Sequence, residues 1–395
     1  SEDSFLRSKI IKEQQKLLKK FSNKNIKNRF IDFLFTLGID KLSFKDNIEE
    51  SKKLNIQIEG PFDSTYSLSI VNQNLAKSLD KSYNVSLYST EGCGDFTPNE
   101  ENLDSQTLQM YKNNLEHIDL TIRNLYPPRT NILKGHCKVL GPYGWEESAF
   151  DSKYITQFNR NLSFLMCMSN YVKKVMIDNG LKIPTPVTHI GVDHILQADI
   201  KPLEKYQIPT NSFILLHISS CFPRKGADIL LEVFDKLVAK HKDMFLIIKT
   251  FDNPHNNIKE QIQNLSTLAK ERILLITDDL PQEEINYLYK ISNALVAPSK
   301  GEGFGLPMAE AMLFDTPVIT TAYGGQTDFC TNETSWLIDY TFQKASTHMK
   351  LFNSYWANPK KESLKEQILS IYNSDEETIK QKTTKAKENI TKNFI

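Results

Sequence analysis

The sequence carries no excess of either charge: 48 lysines and arginines stand against 48 aspartates and glutamates, a formal net charge of +0 at pH 7. A chain without a global basic field is not built to hold nucleic acid. Cysteine is scarce. Cys93, Cys137, Cys167, Cys221 and Cys330 are scattered over 395 residues and no two form a CxxC pair. That argues against a disulfide framework and a zinc site, and suits reduced thiols in the cytoplasm. Long apolar runs are missing too: Phe213–Leu216 and Met244–Ile248 fall far below the roughly 20 residues that cross a bilayer. The N-terminus is polar and lysine-rich, with no apolar signal stretch, which argues against export. What is present is 40% hydrophobic and 24% charged residues, the composition of a soluble globular protein. Domains usually run to roughly 100–200 residues, so two are the default. The first residue is Ser, and a piece of a longer protein is expected.

Residues 1–50 have a helical pattern, with Ile10, Ile11, Leu17, Leu18 and Phe21 at helix spacing and Lys9, Lys12, Lys16, Lys19, Lys20, Lys24 and Lys27 between them. We read this as a helical N-terminal extension, a solvated helix that packs on the body or links to a domain upstream. The alternative is a basic amphipathic helix in peripheral contact with the inner face of a membrane. Alternation in Leu54–Ile58 then predicts a first strand, followed by the turn Gly60–Ser67 and a helix to Leu79. Val85–Tyr88, Ile118–Ile122, Lys138–Leu140 and Leu165–Ser169 supply further strands, and Asn170–Asn179 a helix stopped by Gly180.

The pattern restarts after Gly191-Val192-Asp193. Phe213–Ile218 is a continuous apolar run, the mark of a strand buried on both faces. Met244–Lys249, Ile273–Thr277, Ala294–Ala297 and Pro317–Thr320 complete a series of strands separated by helical or loop stretches. Such alternation predicts doubly wound parallel sheets. The expected architecture is therefore α/β, with an N-terminal Rossmann-like domain at 51–195 and a C-terminal one at 196–395. They would face each other across a cleft where ligands bind.

The densest local signal is Pro298-Ser-Lys-Gly-Glu-Gly-Phe-Gly-Leu-Pro-Met-Ala-Glu310. Gly303 and Gly305 allow close approach to a ligand or a positive φ. Pro307 suits the first turn of a helix, whose free N–H groups and positive dipole end then face an anion such as a diphosphate. Glu310, one turn in, can accept hydrogen bonds from two vicinal ribose hydroxyls. Glu302, ahead of the turn, can meet a sugar.

This segment resembles the Glu-x7-Glu signature of the family 4 retaining glycosyltransferases, which have the GT-B fold. Cys167-Met168-Ser169, Thr188–Asp193, His217–Gly226 and the pair Gly324-Gly325 are similar to other parts of that family's pattern, over roughly residues 54–360. The resemblance implies an enzyme moving a sugar from a nucleotide-diphosphate sugar, UDP- or GDP-linked, to a hydroxyl of a glycan, lipid-linked or protein acceptor. It further implies retention of anomeric configuration by front-side attack, with no metal and no other cofactor. No Asp-x-Asp follows a strand in the N-terminal half, the device of metal-dependent transferases of the other common fold. Lys225 matches the lysine that neutralises the donor diphosphate. The donor would be bound by Glu310, Gly303, Phe304, Gly305 and Leu306. Ser220 stands where most members carry arginine, and Arg224 is the candidate substitute.

On the N-terminal side the glycine loop corresponds to Gly60–Tyr66 but lacks the double glycine, so Asp63, Ser64 and Tyr66 are candidates for phosphate or acceptor contact. Many members carry a histidine after a later strand. The stretch Val139–Ser148 has none, and Tyr143, Trp145, Glu146 and Glu147 are candidates for stacking on and hydrogen-bonding a sugar. His136 reads as structural, Arg123 and Arg129 as anchors of their loop, and Trp356 as a surface anchor at the domain edge. Two other readings stand beside the transferase: a GT-B sugar-nucleotide epimerase, and a non-catalytic nucleotide-sugar-binding or partner subunit. The chain stops at Asn389–Ile395, about where this fold's last helix crosses back, so truncation or a further domain downstream is expected.

Overall fold

The computed structural model describes residues 53–64, 67–92, 94–345 and 351–395. The expected N-terminal helix with its lysines, Tyr66 and Cys93 lie outside these residues. In chain order the first half holds β1 (Asn55–Gly60), α1 (Ser67–Asp80), β2 (Asn84–Glu91), β3 (Gly94–Asp95), α2 (Ser105–Lys112), β4 (Leu120–Arg123), β5 (Cys137–Tyr143), α3 (Ser152–Asn161), β6 (Phe164–Cys167) and α4 (Asn170–Asp178). Its sheet runs β3-β2-β1-β4-β5-β6, parallel except for the short β2–β3 pairing. The chain winds outward from β1 and then returns to add β4 on the other side. That leaves a switch point at the carboxyl ends of β1 and β4, where open α/β sheets take ligands.

The second half holds β7 (Phe213–Ile218), α5 (Ala227–Val238), β8 (Met244–Lys249), α6 (Ile258–Gln263), α7 (Thr267–Glu271), β9 (Ile273–Ile276), α8 (Gln282–Ile291), β10 (Ala294–Ala297), α9 (Leu306–Leu313), β11 (Val318–Thr321), β12 (Trp336–Ile338), β13 (Tyr340–Lys344), β14 (Tyr355–Pro359), α10 (Lys361–Tyr372) and α11 (Glu376–Phe394). Its sheet is β12-β11-β10-β7-β8-β9, all parallel, with the switch point between β7 and β10. Every residue of β8 is buried, which is why this strand reads as one apolar run: helices cover both faces. One core lies on the α8–α9–α11 side, around Leu216, Ile247, Tyr289 and Met312. The other lies under α5 and α10, around Leu230, Phe234, Leu246 and Ile368. The expected strands are present within a few residues. The hairpin β13–β14 and the edge strand β12 had no counterpart among the expected elements.

The two halves meet through backbone. A Cβ added to Gly303 would lie 3.0 Å from the Cα of Gly144, and one on Gly301 would lie 2.2 Å from the Glu146 carbonyl oxygen. Ser169 Oγ donates to the Gly303 carbonyl at 2.7 Å, and the Asn170 N–H donates to Asp328 at 2.8 Å. The hairpin closes the same seam: the Ser148 N–H donates to the Tyr355 carbonyl, and the Tyr355 N–H returns to Ser148 Oγ. Trp356, expected at the surface, is instead 4% exposed, with Lys300 Nζ 5.8 Å from its ring centre. Its indole is large enough to fill the space behind the seam. The end of α11 docks on the connector between the halves: the Val192 N–H donates to the Phe394 carbonyl at 3.1 Å. No helix among the described residues is long and apolar enough to cross a membrane.

The seam makes a stability prediction. Gly301→Ala drives a methyl into the Glu146 carbonyl, a backbone atom with little room to yield. Forced overpacking of this kind costs about 1–3 kcal/mol. Gly94→Ala, with nothing within 4 Å of the added Cβ, is the control. Denaturant midpoints should fall for the first and hold for the second.

Candidate functional site

Two loops leave the carboxyl ends of β7 and β10, at the switch point, and touch. The β7 loop carries a short 3-10 turn, Pro223–Lys225, ended by Gly226 at φ 70°. The β10 loop carries Ser299 and Glu302. Lys225 Nζ donates to Glu302 Oε1 at 2.6 Å, and Ser299 Oγ donates to the same oxygen at 2.7 Å. Arg224 lies 3.6 Å from Glu302 Oε2 and 2.9 Å from Glu146 of the first half, and also donates to the Gly301 carbonyl at 3.3 Å. All four charged groups are largely buried. Burial alone would raise the Glu302 carboxyl, but Lys225 and Arg224 outweigh it and hold the group below its ordinary range. Burial, with Arg224 alongside, lowers the Lys225 ammonium against the pull of Glu302. Glu302 is therefore an ionised carboxylate clamped in place.

Beneath this pair sits His217 on β7, 1% exposed. Its Nδ1 faces the Val296 carbonyl at 2.7 Å and its Nε2 faces Ser219 Oγ at 2.8 Å. A carbonyl only accepts, so Nδ1 carries the proton and Nε2 receives the Ser219 hydroxyl. Burial takes this imidazole down to about 4, so it is neutral near pH 7. It ties the root of the β7 loop to β10.

The start of α9 behaves as its sequence predicts at one glycine and differently at the other. Gly305 has φ 95° and caps the helix without a side chain; its carbonyl accepts from the Met308 and Ala309 N–H groups and Pro307 has no N–H, which leaves that of Leu306 at the helix start. Gly303 lies against the backbone of Gly144 and Trp145, so its missing side chain serves the contact between the two halves. Phe304 points its ring into the core against Phe329 and Phe394, and Leu306 packs on the same core. Phe304 therefore has only backbone to offer a donor, while Leu306 stays partly exposed. Glu310 is held on both oxygens: Tyr289 donates to Oε2 at 2.6 Å and His194 lies 2.9 Å from Oε1. Gly324-Gly325 closes the turn, the Gly325 N–H donating to the Glu302 carbonyl at 2.7 Å. Ser220 is half-buried, and its carbonyl accepts from Asn253. Arg224, the candidate substitute for an arginine at position 220, turns its fork across the seam onto Glu146 and the Gly301 carbonyl. Lys225 is thus the nearer cation for a phosphate.

On the first-half side, two expectations are corrected. Tyr143 and Trp145 are 3% and 2% exposed. They pack edge-on against Phe150, and the Trp145 indole donates to the Ala149 carbonyl. Neither ring has a face free to stack on a sugar, because the strand end that carries them is roofed by α3. Glu146 and Glu147 do reach the seam. Glu147 accepts from Ser354 of β13–β14 at 2.8 Å. Asp63 accepts the Asn99 N–H with one oxygen, and the Ser64 N–H donates to Ser69. Arg123 pairs with buried Glu59 and donates to the carbonyls of Arg129 and Asn131, anchoring that loop. His194, Tyr289, Ser299, His217 and Ser354 were not among the expected site residues. Ser299 stands three residues before its partner Glu302, within local reach; the long-range partners of the other four lie 21 to 207 residues away, beyond any local spacing.

Residues 201–389 match the family of glycosyl transferases group 1. This stretch, just under half of the chain, is similar to a glycosyltransferase family domain. The chain is also similar to solved structures along most of its length. A glycosyltransferase from Rickettsia africae superposes with TM-score 0.63 at 20% identity, covering 87% of this chain and 95% of that one. Sucrose-phosphate synthase from Thermosynechococcus elongatus superposes with TM-score 0.61 at 16% identity, with the same coverage. The fold is GT-B. Among curated proteins, the GPI3 subunit of phosphatidylinositol N-acetylglucosaminyltransferase from Saccharomyces cerevisiae is 24% identical over 198 residues, 48% of this chain and 43% of that protein. The chain thus spans less than half the length of that relative.

The seam carries one titratable group with a defined pH window. Burial pushes the Glu147 carboxyl from its ordinary 4.5 up to about 7; the Ser354 bond works against that shift and the neighbouring Glu146 adds to it. A carboxyl raised in the folded state binds more protons there than in the unfolded chain. Its contribution is therefore full below its ordinary value and is lost as pH rises through about 7. Glu147→Gln should flatten the fall in unfolding free energy between about pH 5 and about pH 8. Denaturant titrations at both pH values, variant against parent, measure this.

Proposed function

We propose that the chain is a retaining glycosyltransferase, moving a sugar from a UDP- or GDP-linked donor to a hydroxyl of a glycan, lipid-linked or protein acceptor. The observation that carries this reading is the contact of Lys225 and Ser299 with one oxygen of Glu302, at the switch point of a GT-B sheet. A lysine ammonium has three donors. One is spent on Glu302, and the others are available to the leaving diphosphate, which gathers negative charge as the glycosidic bond breaks. At the start of α9 the Leu306 N–H serves the same charge, since Pro307 has no N–H and those of Met308 and Ala309 donate to the Gly305 carbonyl. Glu302 orients the sugar and Glu310 the ribose.

In the proposed step the acceptor hydroxyl attacks the anomeric carbon from the face the phosphate leaves. The new carbon–oxygen bond forms, the carbon–phosphate-oxygen bond breaks, and the hydroxyl proton passes to the departing phosphate oxygen. Lys225 and the helix start take the part a metal ion would play. Asp63, Ser64, Tyr66 and Glu146 are the candidate acceptor or sugar contacts on the opposite domain. A lipid-linked acceptor is in keeping with the name of the yeast relative. We assign the activity to the cytoplasm, with the lysine-rich segment 1–50 as the candidate membrane contact at its inner face.

Donor hydrolysis and transfer assays test the proposal. Lys225→Ala and Glu302→Ala should each lose about a hundred- to a thousandfold in kcat, with donor binding weakened, most for Lys225→Ala, but still measurable. A parent protein that binds donor but neither hydrolyses it nor transfers the sugar to any acceptor tried would favour the non-catalytic binding subunit instead.

A further inference from the structure

Glu310 is the residue that the proposed reading assigns to the ribose, and its carboxylate is not free to turn. Tyr289, fully buried on α8, donates its hydroxyl to Oε2 at 2.6 Å. The Tyr289 ring is itself fixed, stacked on Phe314 at 5.8 Å with 12° between planes. His194 Nε2 lies 2.9 Å from Oε1. An ionised carboxylate only accepts, so Nε2 is the donor in that bond. The two contacts come from different directions. Tyr289 belongs to the body of the second domain. His194 belongs to the short 3-10 turn Asp193–Gln197 in the connector between domains.

That turn is pinned in its own right. Asn286, also on α8, donates to the carbonyls of Ile195, Ala198 and Asp199, so the backbone that carries His194 is held in place. A carboxylate offers about four lone-pair positions, and these bonds use two of them, one on each oxygen. The side chain keeps 11% exposure. What remains is one acceptor position per oxygen, in an orientation set by two rigid donors. Two acceptor positions fixed side by side match the two vicinal hydroxyls of a ribose.

We infer that Tyr289 and His194 are positioning residues for nucleotide recognition: by holding one lone pair on each oxygen of Glu310, they aim the other two at the ribose 2′ and 3′ hydroxyls. The inference rests on the donor-site reading above. It adds two residues that touch the carboxylate and not the ligand, and it couples ribose recognition to the connector between the domains.

The test compares dissociation constants of UDP and GDP with those of their 2′,3′-dideoxy counterparts, by calorimetry, on folded full-length protein checked by its melting temperature. The parent should prefer the ribonucleotide by about tenfold or more. Tyr289→Phe and His194→Leu should each cut that preference by about three- to tenfold, by weakening the ribonucleotide alone. His194→Gln, which retains a donor, should keep most of it. If Tyr289→Phe and His194→Leu weaken ribo- and dideoxy-nucleotides equally, the two residues are merely structural and the inference falls. If the parent binds both forms equally, Glu310 does not read the ribose and the inference falls while the donor site stands. If the parent binds neither nucleotide, the donor-site reading falls as well.

Discussion

Everything in the site hangs on the place where two backbones touch. The loop after β10 can press against the loop after β5 because Gly301, Gly303 and Gly144 have no side chains to keep them apart. That contact brings a basic pair from one domain beside an acid from the other. Arg224 then bridges Glu302 to Glu146, and Lys225 closes on Glu302 at 2.6 Å. Charges buried this deeply are tolerated only when each has a partner. The pairing is thus a condition for the loops to pack, as well as a chemical arrangement.

A second consequence concerns which groups are left to act. Arg224 spends its fork on the seam, while Lys225 spends one of three donors. Glu302 is held in ionised form by its neighbours. His217, neutral and buried, keeps the β7 loop in register with β10. On the far side of α9, Glu310 is fixed by donors from the domain body and from the connector. The site is a set of side chains held in orientation by the protein alone, which is what electrostatic preorganisation asks of a catalytic site.

Much of this was legible in the order of residues. Continuous apolar runs such as Phe213–Ile218 and Met244–Lys249 identify strands covered on both faces, and Gly305-Leu306-Pro307 announces a helix start. Three things were not legible. Tyr143 and Trp145 sit at a strand end, where an aromatic ring serves a sugar or a core equally well; burial under α3 decides for the core. The hairpin strands Tyr340–Lys344 and Tyr355–Pro359 mix polar and aromatic residues, and their main role is to reach Ser148 and Glu147 across the seam. The grip on Glu310 joins residues 116 apart on one side, so only the folded chain shows it. In each case the missing information is tertiary: which face a side chain meets is settled by an element far away in sequence.

The central claim is that this preorganised pair of loops is a nucleotide-sugar site, and the most direct test is a thermal-shift panel of UDP-, GDP- and ADP-sugars on the parent protein and on Lys225→Ala. A ligand that binds only the folded state raises its stability in proportion to occupancy, by about 2.7 kcal/mol at a hundred times its dissociation constant. The account predicts that a UDP- or GDP-sugar raises the parent's melting temperature and that Lys225→Ala loses most of that rise. No shift with any of the three donor classes, or an equal shift in parent and variant, would contradict it.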